Sequence, residues 1–166
     1  FGRGPAENYL DRNAGSMIGL YKSTAEELYF PYVRPQENGH HTDTRWVSLS
    51  TGKKGLLIQA DNTIGFNALR NSIEDFDDEE ATGLPRQWSN FTPEQVANHD
   101  EAAAKNVLRR QHHINDITPR DFVEVCVDLK QQGVAGYDSW GSRPEPAYTL
   151  PANREYNWGF TLIPLK

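Results

Sequence analysis

Residues 44–69 read TRWVSLSTGKKGLLIQADNTIGFNAL, and this stretch decides the class of fold. Within it, apolar residues, many of them β-branched or aromatic, alternate with polar ones in segments that turn residues separate. The alternation predicts strands over Thr44–Ser50, Gly55–Ala60 and Ile64–Leu69. The chain is therefore predicted to be mainly β.

The same alternation recurs outside that stretch and predicts further strands over Met17–Lys22, Glu27–Val33, Asp121–Leu129 and about 154–162. In the last of these, Tyr156, Trp158 and Phe160 fall on one face, which predicts that this face is buried. The 10 prolines and 13 glycines indicate many short elements joined by turns. With 166 residues, we expect one domain built from antiparallel sheets.

A segment of different character lies between these strands, at about residues 77–108. Its first part is acidic and rich in turn residues, and its second part contains Thr92-Pro93-Glu94-Gln95. Thr92 suits a helix N-cap, Pro93 the first helical position and Gln95 the capping-box position, so we expect a helix over about 93–109. Because the apolar face of that helix is thin, the segment is predicted to be a surface insertion.

Charge and composition argue against several classes of function. The sequence has 17 Lys and Arg against 23 Asp and Glu, and its net charge of −6 repels phosphate backbones and anionic membranes. We therefore expect no nucleic-acid partner and no membrane partner, and no stretch has the roughly 18–20 apolar residues that cross a bilayer. The single cysteine, Cys126, allows no intrachain disulfide and is predicted to be a small core residue.

Few residues are arranged as a catalytic or metal site would need. Glu37-Asn38-Gly39-His40-His41 places an acid beside two imidazoles, but adjacent histidines in a strand point to opposite faces and Asn38-Gly39 is a turn signal. We therefore predict no metal site there. Gly2-Arg3-Gly4-Pro5 lacks the lysine of a phosphate-binding loop, so we expect a structural turn. No Gly-x-Ser-x-Gly motif occurs and Cys126 lies in a predicted strand, so we predict no nucleophilic catalysis by serine or cysteine.

The stretch most informative about function is Gln132–Gly141, QGVAGYDSWG, which follows a predicted strand. Small residues alternate there with Trp140, and loops after strands often carry function. An indole offers a flat apolar surface to the C–H face of a sugar, whose hydroxyls need a few polar partners. The alternative is that Trp140 fills the end of the core, and composition alone does not choose between the two. Trp46, Trp88 and Trp158 are given structural roles.

Three blocks of the sequence together resemble the C-terminal domain of the glycoside hydrolase family 2 β-galactosidases. The first block, Phe1–Arg12, is similar to the family's Gly-Arg-Gly-Pro-x-Glu-Asn-Tyr-x-Asp-Arg signature. The second block is Pro31–Gly39 and the third is Gly133–Trp140, and all three occur in the family's order. With similar sequence between them, they cover almost the whole chain.

The resemblance implies that residues 1–166 are the C-terminal part of a galactose-mutarotase-like β-supersandwich, which the chain enters without its earlier strands. It also implies that Trp140 forms part of the platform for substrate in the galactose site, with Gly136, Asp138 and Ser139 supporting its loop. Ala135 and Tyr137 depart from the glycine and the acidic or amide residue of better-known members, which puts substrate preference in question. Further candidate site residues come from the second block and the histidine after it: Arg34, Glu37, Asn38 and His40.

In this family, two glutamates of a separate TIM-barrel domain carry out a retaining double displacement, and neither is in this chain. The resemblance implies a β-galactoside as ligand, the TIM barrel and other domains of a parent chain as partners, and a homo-oligomer. It implies no cofactor in this chain, since Mg and Na are commonly bound by other domains of the parent. The sequence leaves both cytoplasm and periplasm open as compartments.

Three alternatives remain open from the sequence. The chain could bind sugar on its own as a carbohydrate-binding module. It could be an active mutarotase, with Glu37 and either His40 or His41 as the acid–base pair. It could also serve only as a scaffold that packs against neighbouring domains.

Overall fold

A computed structural model describes residues 1–76, 114–138 and 141–166. The described residues are mainly β, with antiparallel pairing throughout, which confirms the predicted class. The strands are β1 (Gly2–Gly4), β2 (Met17–Gly19), β3 (His41–Ser50), β4 (Gly55–Leu69), β5 (Glu124–Asp128) and β6 (Phe160–Leu165). One short helix, α1, spans Ala25–Leu28, and single 3₁₀ turns span Ile73–Phe76, Ile114–Asp116 and Pro146–Tyr148.

The predicted acidic and helical insertion, at about 77–108, lies outside the described residues. Within the described ranges, no helix has the length and apolar character needed to cross a membrane.

Strand β4 is the centre of the four-stranded sheet. It pairs with β3 along one edge, while its other edge pairs with β6 beside Gly55–Ala60 and with β5 beside Gly65–Leu69. The sequence predicts two strands here, but β4 runs without a break through Asp61. The Asp61 backbone N–H donates to the Gly159 carbonyl at 3.0 Å, so hydrogen bonding across this edge continues where a turn was expected.

The glycines of the first block allow close packing. Gly2-Arg3-Gly4 was predicted to be a turn, and this prediction was wrong, because these residues form β1 and pair with β2. A Cβ added to Gly2 would lie 2.7 Å from the Thr44 Cα, and one added to Gly4 would lie 2.8 Å from the Tyr21 ring. Glycine is therefore needed at these two positions so that neighbouring residues can approach the backbone.

The strand predicted over Glu27–Val33 is also wrong, because its beginning belongs to α1. The Glu27 backbone N–H donates to the Thr24 hydroxyl at 3.3 Å, and the Thr24 backbone N–H donates to the Glu27 carboxylate at 2.9 Å. This reciprocal capping box stabilises the start of a helix at Ala25, although the alternation of apolar and polar residues after it predicts a strand.

The last strand lies further along the chain than predicted. Its prediction ends at residue 162, whereas β6 runs from Phe160 to Leu165. All residues of β6 are exposed and Tyr156 is half-buried, so the described residues do not bury the predicted face. Trp158 is also exposed and lies 5.6 Å from the Phe160 ring. Alternation predicts a face that can be covered, and the described residues do not cover this one.

The described chain divides into two compact units. The first consists of Phe1–Tyr29, Asn38–Leu69 and Glu124–Lys166, and it contains every strand. The second consists of Phe30–Glu37 and Arg70–Val123.

In the second unit, an ion pair between Asp75 and Arg120 joins two distant segments. The Arg120 guanidinium donates to both Asp75 oxygens, with Nε 3.0 Å from Oδ2, and the Asp75 side chain is only 3% exposed. The Ser72 backbone N–H also donates to Asp75, at 3.1 Å, and Asn71 donates to the Thr118 carbonyl at 3.0 Å. The hydrogen bond from Arg120 is the main cause that lowers the pKa of Asp75 below its usual range.

We predict that Asp75→Asn destabilises the protein by about 2 kcal/mol at pH 7, because a charge-assisted hydrogen bond is lost. The pKa of Asp75 is depressed by folding, so this stability is present above the unfolded-state pKa near 4 and is lost as the pH falls through the folded-state value. Urea unfolding should therefore show a smaller difference in the free energy of unfolding between wild type and variant at pH 3 than at pH 7. Exposed Asp121 is the control, and an equal cost for Asp121→Asn would contradict the prediction.

Candidate functional site

Within the first unit, polar contacts join the first sequence block to residues 38–42 and to the start of the third block. Residues 38–42 include the end of the second block. Asn8, Asn38 and His40 are almost completely buried although they are polar. Buried polar groups are costly unless they are hydrogen-bonded, so the partners of these side chains define the arrangement.

Asn8 binds the backbone at the start of β3. Its backbone N–H donates to the His40 carbonyl at 2.7 Å, and its side-chain oxygen accepts from the Thr42 backbone N–H at 2.9 Å. The Asn8 amide group also donates to the Ala6 carbonyl at 3.1 Å. The side chain thereby fixes the first block against β3.

Glu7 makes a second connection to the same region. One carboxylate oxygen accepts from the Gly39 backbone N–H at 2.8 Å and from the Tyr9 hydroxyl at 3.1 Å. Gly39 has φ +73°, and a Cβ there would lie 2.8 Å from the Leu28 carbonyl oxygen. Glycine is required at this position for both reasons, and the carboxylate holds the backbone where the sequence predicts a turn.

His40 is buried at 1% exposure between a tyrosine and a glycine. Its ring stacks on Tyr9 at 5.7 Å, and a Cβ on Gly65 would lie 2.6 Å from Nε2. Nδ1 lies 3.9 Å from an Asp128 oxygen, and neither ring nitrogen has a hydrogen-bond partner among the described residues. Burial lowers the pKa of His40 to about 4, with nearby His41 a smaller cause, so the ring is neutral at pH 7.

This environment makes His40 a packing residue in the described chain. A general acid must reach its substrate, and a ring that is 1% exposed does not do so here, so the mutarotase alternative gains no support. The His41 ring contacts other groups, namely the Gly39 and Pro5 carbonyls and the Phe66 ring. Among the described residues, no group of three or more His, Cys, Asp or Glu side chains could hold a metal ion.

Asp11 binds the loop that follows β5. One of its oxygens accepts from the Val134 backbone N–H at 3.0 Å, and the other accepts from the Ala135 backbone N–H at 2.8 Å. Gly133 donates its own N–H to the Tyr148 carbonyl at 2.8 Å, and a Cβ on Gly133 would lie 2.6 Å from the Asp11 carboxyl carbon. The loop backbone therefore lies directly on the Asp11 carboxylate.

The loop at residues 133–142 is called the Trp140 loop below. Trp140 and Ser139, two of the predicted site residues, lie outside the described residues. On either side of them, the Asp138 carboxylate accepts from the Ser142 backbone N–H at 3.3 Å, and Gly141 has φ +90°. Gly136, a predicted support, has φ +91°, which glycine adopts without strain.

Ala135 also has a positive φ, of +55°. The resemblance places a glycine at this position in better-known relatives, and the left-handed backbone gives a physical reason for one. An alanine there is strained unless its surroundings hold it. The bond from its N–H to Asp11 is such a contact.

The remaining predicted site residues, Arg34 and Glu37, belong to the second unit, where both are exposed. Sequence reasoning quoted Glu7, Asn8 and Asp11 within the first block but assigned them no role. The sequence feature that could have pointed to these three residues is the largely polar run ENYLDR, in a segment without the alternation of a strand.

Comparison with known proteins agrees with the three blocks. The chain matches the family described as beta galactosidase small chain over residues 1–162. It is 36% identical over 166 residues to a beta-galactosidase of Priestia megaterium, covering 99% of this chain and 13% of that protein. It is 29% identical over 167 residues to a beta-galactosidase of Streptococcus thermophilus, with the same two coverages. The chain therefore spans about an eighth of the length of these relatives.

We predict that His40 makes the protein sensitive to acid. Because the pKa of His40 is lowered by folding from 6.5 to about 4, the unfolded state binds the proton first, and stability falls as the pH drops from 6.5 to 4. The loss attributable to His40 is about 3 kcal/mol. Between pH 7 and pH 4, the free energy of unfolding should therefore fall by about 3 kcal/mol less in His40→Leu than in the wild type. Identical pH dependence in wild type and variant would contradict the assignment.

Proposed function

This chain belongs to the beta-galactosidase small-chain family, and we propose that it is part of a larger retaining β-galactosidase that hydrolyses terminal β-D-galactosides. In that enzyme, the chain contributes Trp140 to the galactose site. Support comes from the family match over residues 1–162 and from relatives that are named beta-galactosidase and are about eight times longer.

The observation that carries the platform role is the way in which the Trp140 loop is held. Hydrogen bonds from Val134 and Ala135 to Asp11 fix the beginning of the loop. A further hydrogen bond joins Asp138, before Ser139 and Trp140 in sequence, to Ser142, after them. The described residues that precede Ser139 are therefore tied to the first block, and this supports a defined place for the loop. The apolar face of a galactose ring would then stack on the indole.

Bond cleavage in this proposal belongs to carboxylates outside the chain. A retaining mechanism needs a nucleophile and an acid–base group about 5–5.5 Å apart, both able to reach the sugar. Glu7 and Asp11, two carboxylates of the first block, already accept hydrogen bonds from backbone N–H groups. We assign the chemistry to a TIM-barrel domain of the parent chain, and the binding of Mg and Na to its other domains.

A scaffold role accompanies the platform role. Phe160, Leu162 and Leu165 of β6 are exposed in this chain, and an apolar edge strand is a surface that proteins usually cover. In the parent enzyme, other domains or a second subunit of a homo-oligomer would cover it.

We predict that Trp140→Ala in the intact enzyme lowers kcat/KM for a β-galactoside by about tenfold or more, since loss of a stacking platform costs roughly 1–3 kcal/mol. Trp140→Phe keeps a flat ring and should retain most of the activity. The matched control is Trp158→Ala, which removes an exposed tryptophan outside the Trp140 loop.

Steady-state kinetics on folded enzyme measure all three variants. Unchanged kinetics in Trp140→Ala would refute the platform. Binding of galactose or lactose by the 166-residue chain alone, seen by titration calorimetry, would favour the stand-alone binding module instead.

A further inference from the structure

We propose that Asp11 is a positioning residue for the galactoside site, which acts through the Trp140 loop and does not touch the sugar. The inference rests on the proposed function of Trp140. It begins from one contact: each carboxylate oxygen of Asp11 accepts a bond from one of two consecutive backbone N–H groups, those of Val134 and Ala135. The partners are 123 and 124 residues away in sequence.

The turn that presents Asp11 is itself fixed. Tyr9 and Arg12 exchange two backbone hydrogen bonds, of 3.3 and 2.8 Å, so Asp11 lies in a closed turn. Glu7 and Asn8, just before this turn, bind the backbone of Gly39 and Thr42. The Asp11 carboxylate that binds the loop is therefore itself held in place by its neighbours, as accurate positioning requires.

The loop needs that support. Gly133, Val134 and Ala135 belong to no strand or helix, and the Val134 N–H lies where solvent could compete for it. Ala135 holds a left-handed conformation that an alanine keeps only when its surroundings impose it. The two bonds to Asp11 impose it, and Gly133 permits the close approach because it has no Cβ.

Loss of the carboxylate should therefore move the loop while the residues it carries remain intact. Trp140 follows Ala135 by five positions, so on the proposed function a displacement of the Ala135 backbone should be felt in galactoside binding. Displacement of a substrate-positioning group by about 1 Å can reduce a rate by up to about a hundredfold. The effect should appear mainly in KM, because a stacking platform contributes to binding.

A double-mutant cycle in the intact enzyme tests this. Asp11→Ala should lower kcat/KM by about tenfold. Asp11→Asn, whose side chain keeps one acceptor oxygen, should have a kcat/KM between those of Asp11→Ala and the wild type. In the Trp140→Ala background, Asp11→Ala should have little further effect, because groups that act together are not additive. The matched control is Asp43→Asn, which removes an ion pair with Arg3 in the same unit without contacting the loop.

Each outcome decides between the two proposals. If Trp140→Ala is impaired while Asp11→Ala is as active as wild type, or while the two effects multiply, the positioning role is overturned and the platform stands. If Trp140→Ala leaves the kinetics unchanged, the proposed platform role of Trp140 fails and the role of Asp11 fails with it. Thermal unfolding of every variant identifies global destabilisation, and Asp11→Asn keeps the test decisive if Asp11→Ala does not fold.

Discussion

Side chains of one short segment, Glu7–Asp11, bind backbone N–H groups in two distant parts of the first unit. Glu7 accepts from Gly39, Asn8 accepts from Thr42, and Asp11 accepts from Val134 and Ala135. Gly39, Val134 and Ala135 lie outside strands and helices, and Thr42 lies where the pairing of β3 with β4 is irregular, so their N–H groups need other acceptors. The segment supplies these partners, and so it determines both how β3 begins and where the loop after β5 runs.

This constraint explains which features the sequence could predict. Alternation within a strand is local, and for this reason it locates β3 and the two halves of β4. Where β4 continues through Asp61, the Asp61 N–H bonds to Gly159, a partner that no sequence window around Asp61-Asn62 contains. The same holds for Asp11, whose partners are more than 120 residues away. The α1 helix is different, because its capping box is local and Thr24-Ala25-Glu26-Glu27 could have been recognised.

Residue type alone was also a poor guide to role within the site. His40 attracted attention because an acid and a second histidine lie nearby, yet its ring is buried on Tyr9 and against Gly65, and burial keeps it neutral. Asp11 attracted none, although it contacts the loop that carries the predicted platform. Carboxylates that hold backbone are not free to act as acid or base. The proposed division of labour, with positioning in this chain and bond cleavage in another domain, is consistent with that.

The most direct test of the central claim is hydrogen exchange of backbone amides, measured by mass spectrometry on the intact protein and on Asp11→Asn. If Glu7–Asp11 holds the two regions through separate side chains, peptides covering Val134 and Ala135 will be protected in the wild type and will exchange faster in the variant. Peptides covering Gly39 and Thr42, which depend on Glu7 and Asn8, will exchange as before. Rapid exchange at Val134 and Ala135 already in the wild type, or the same protection in both proteins, would contradict the account.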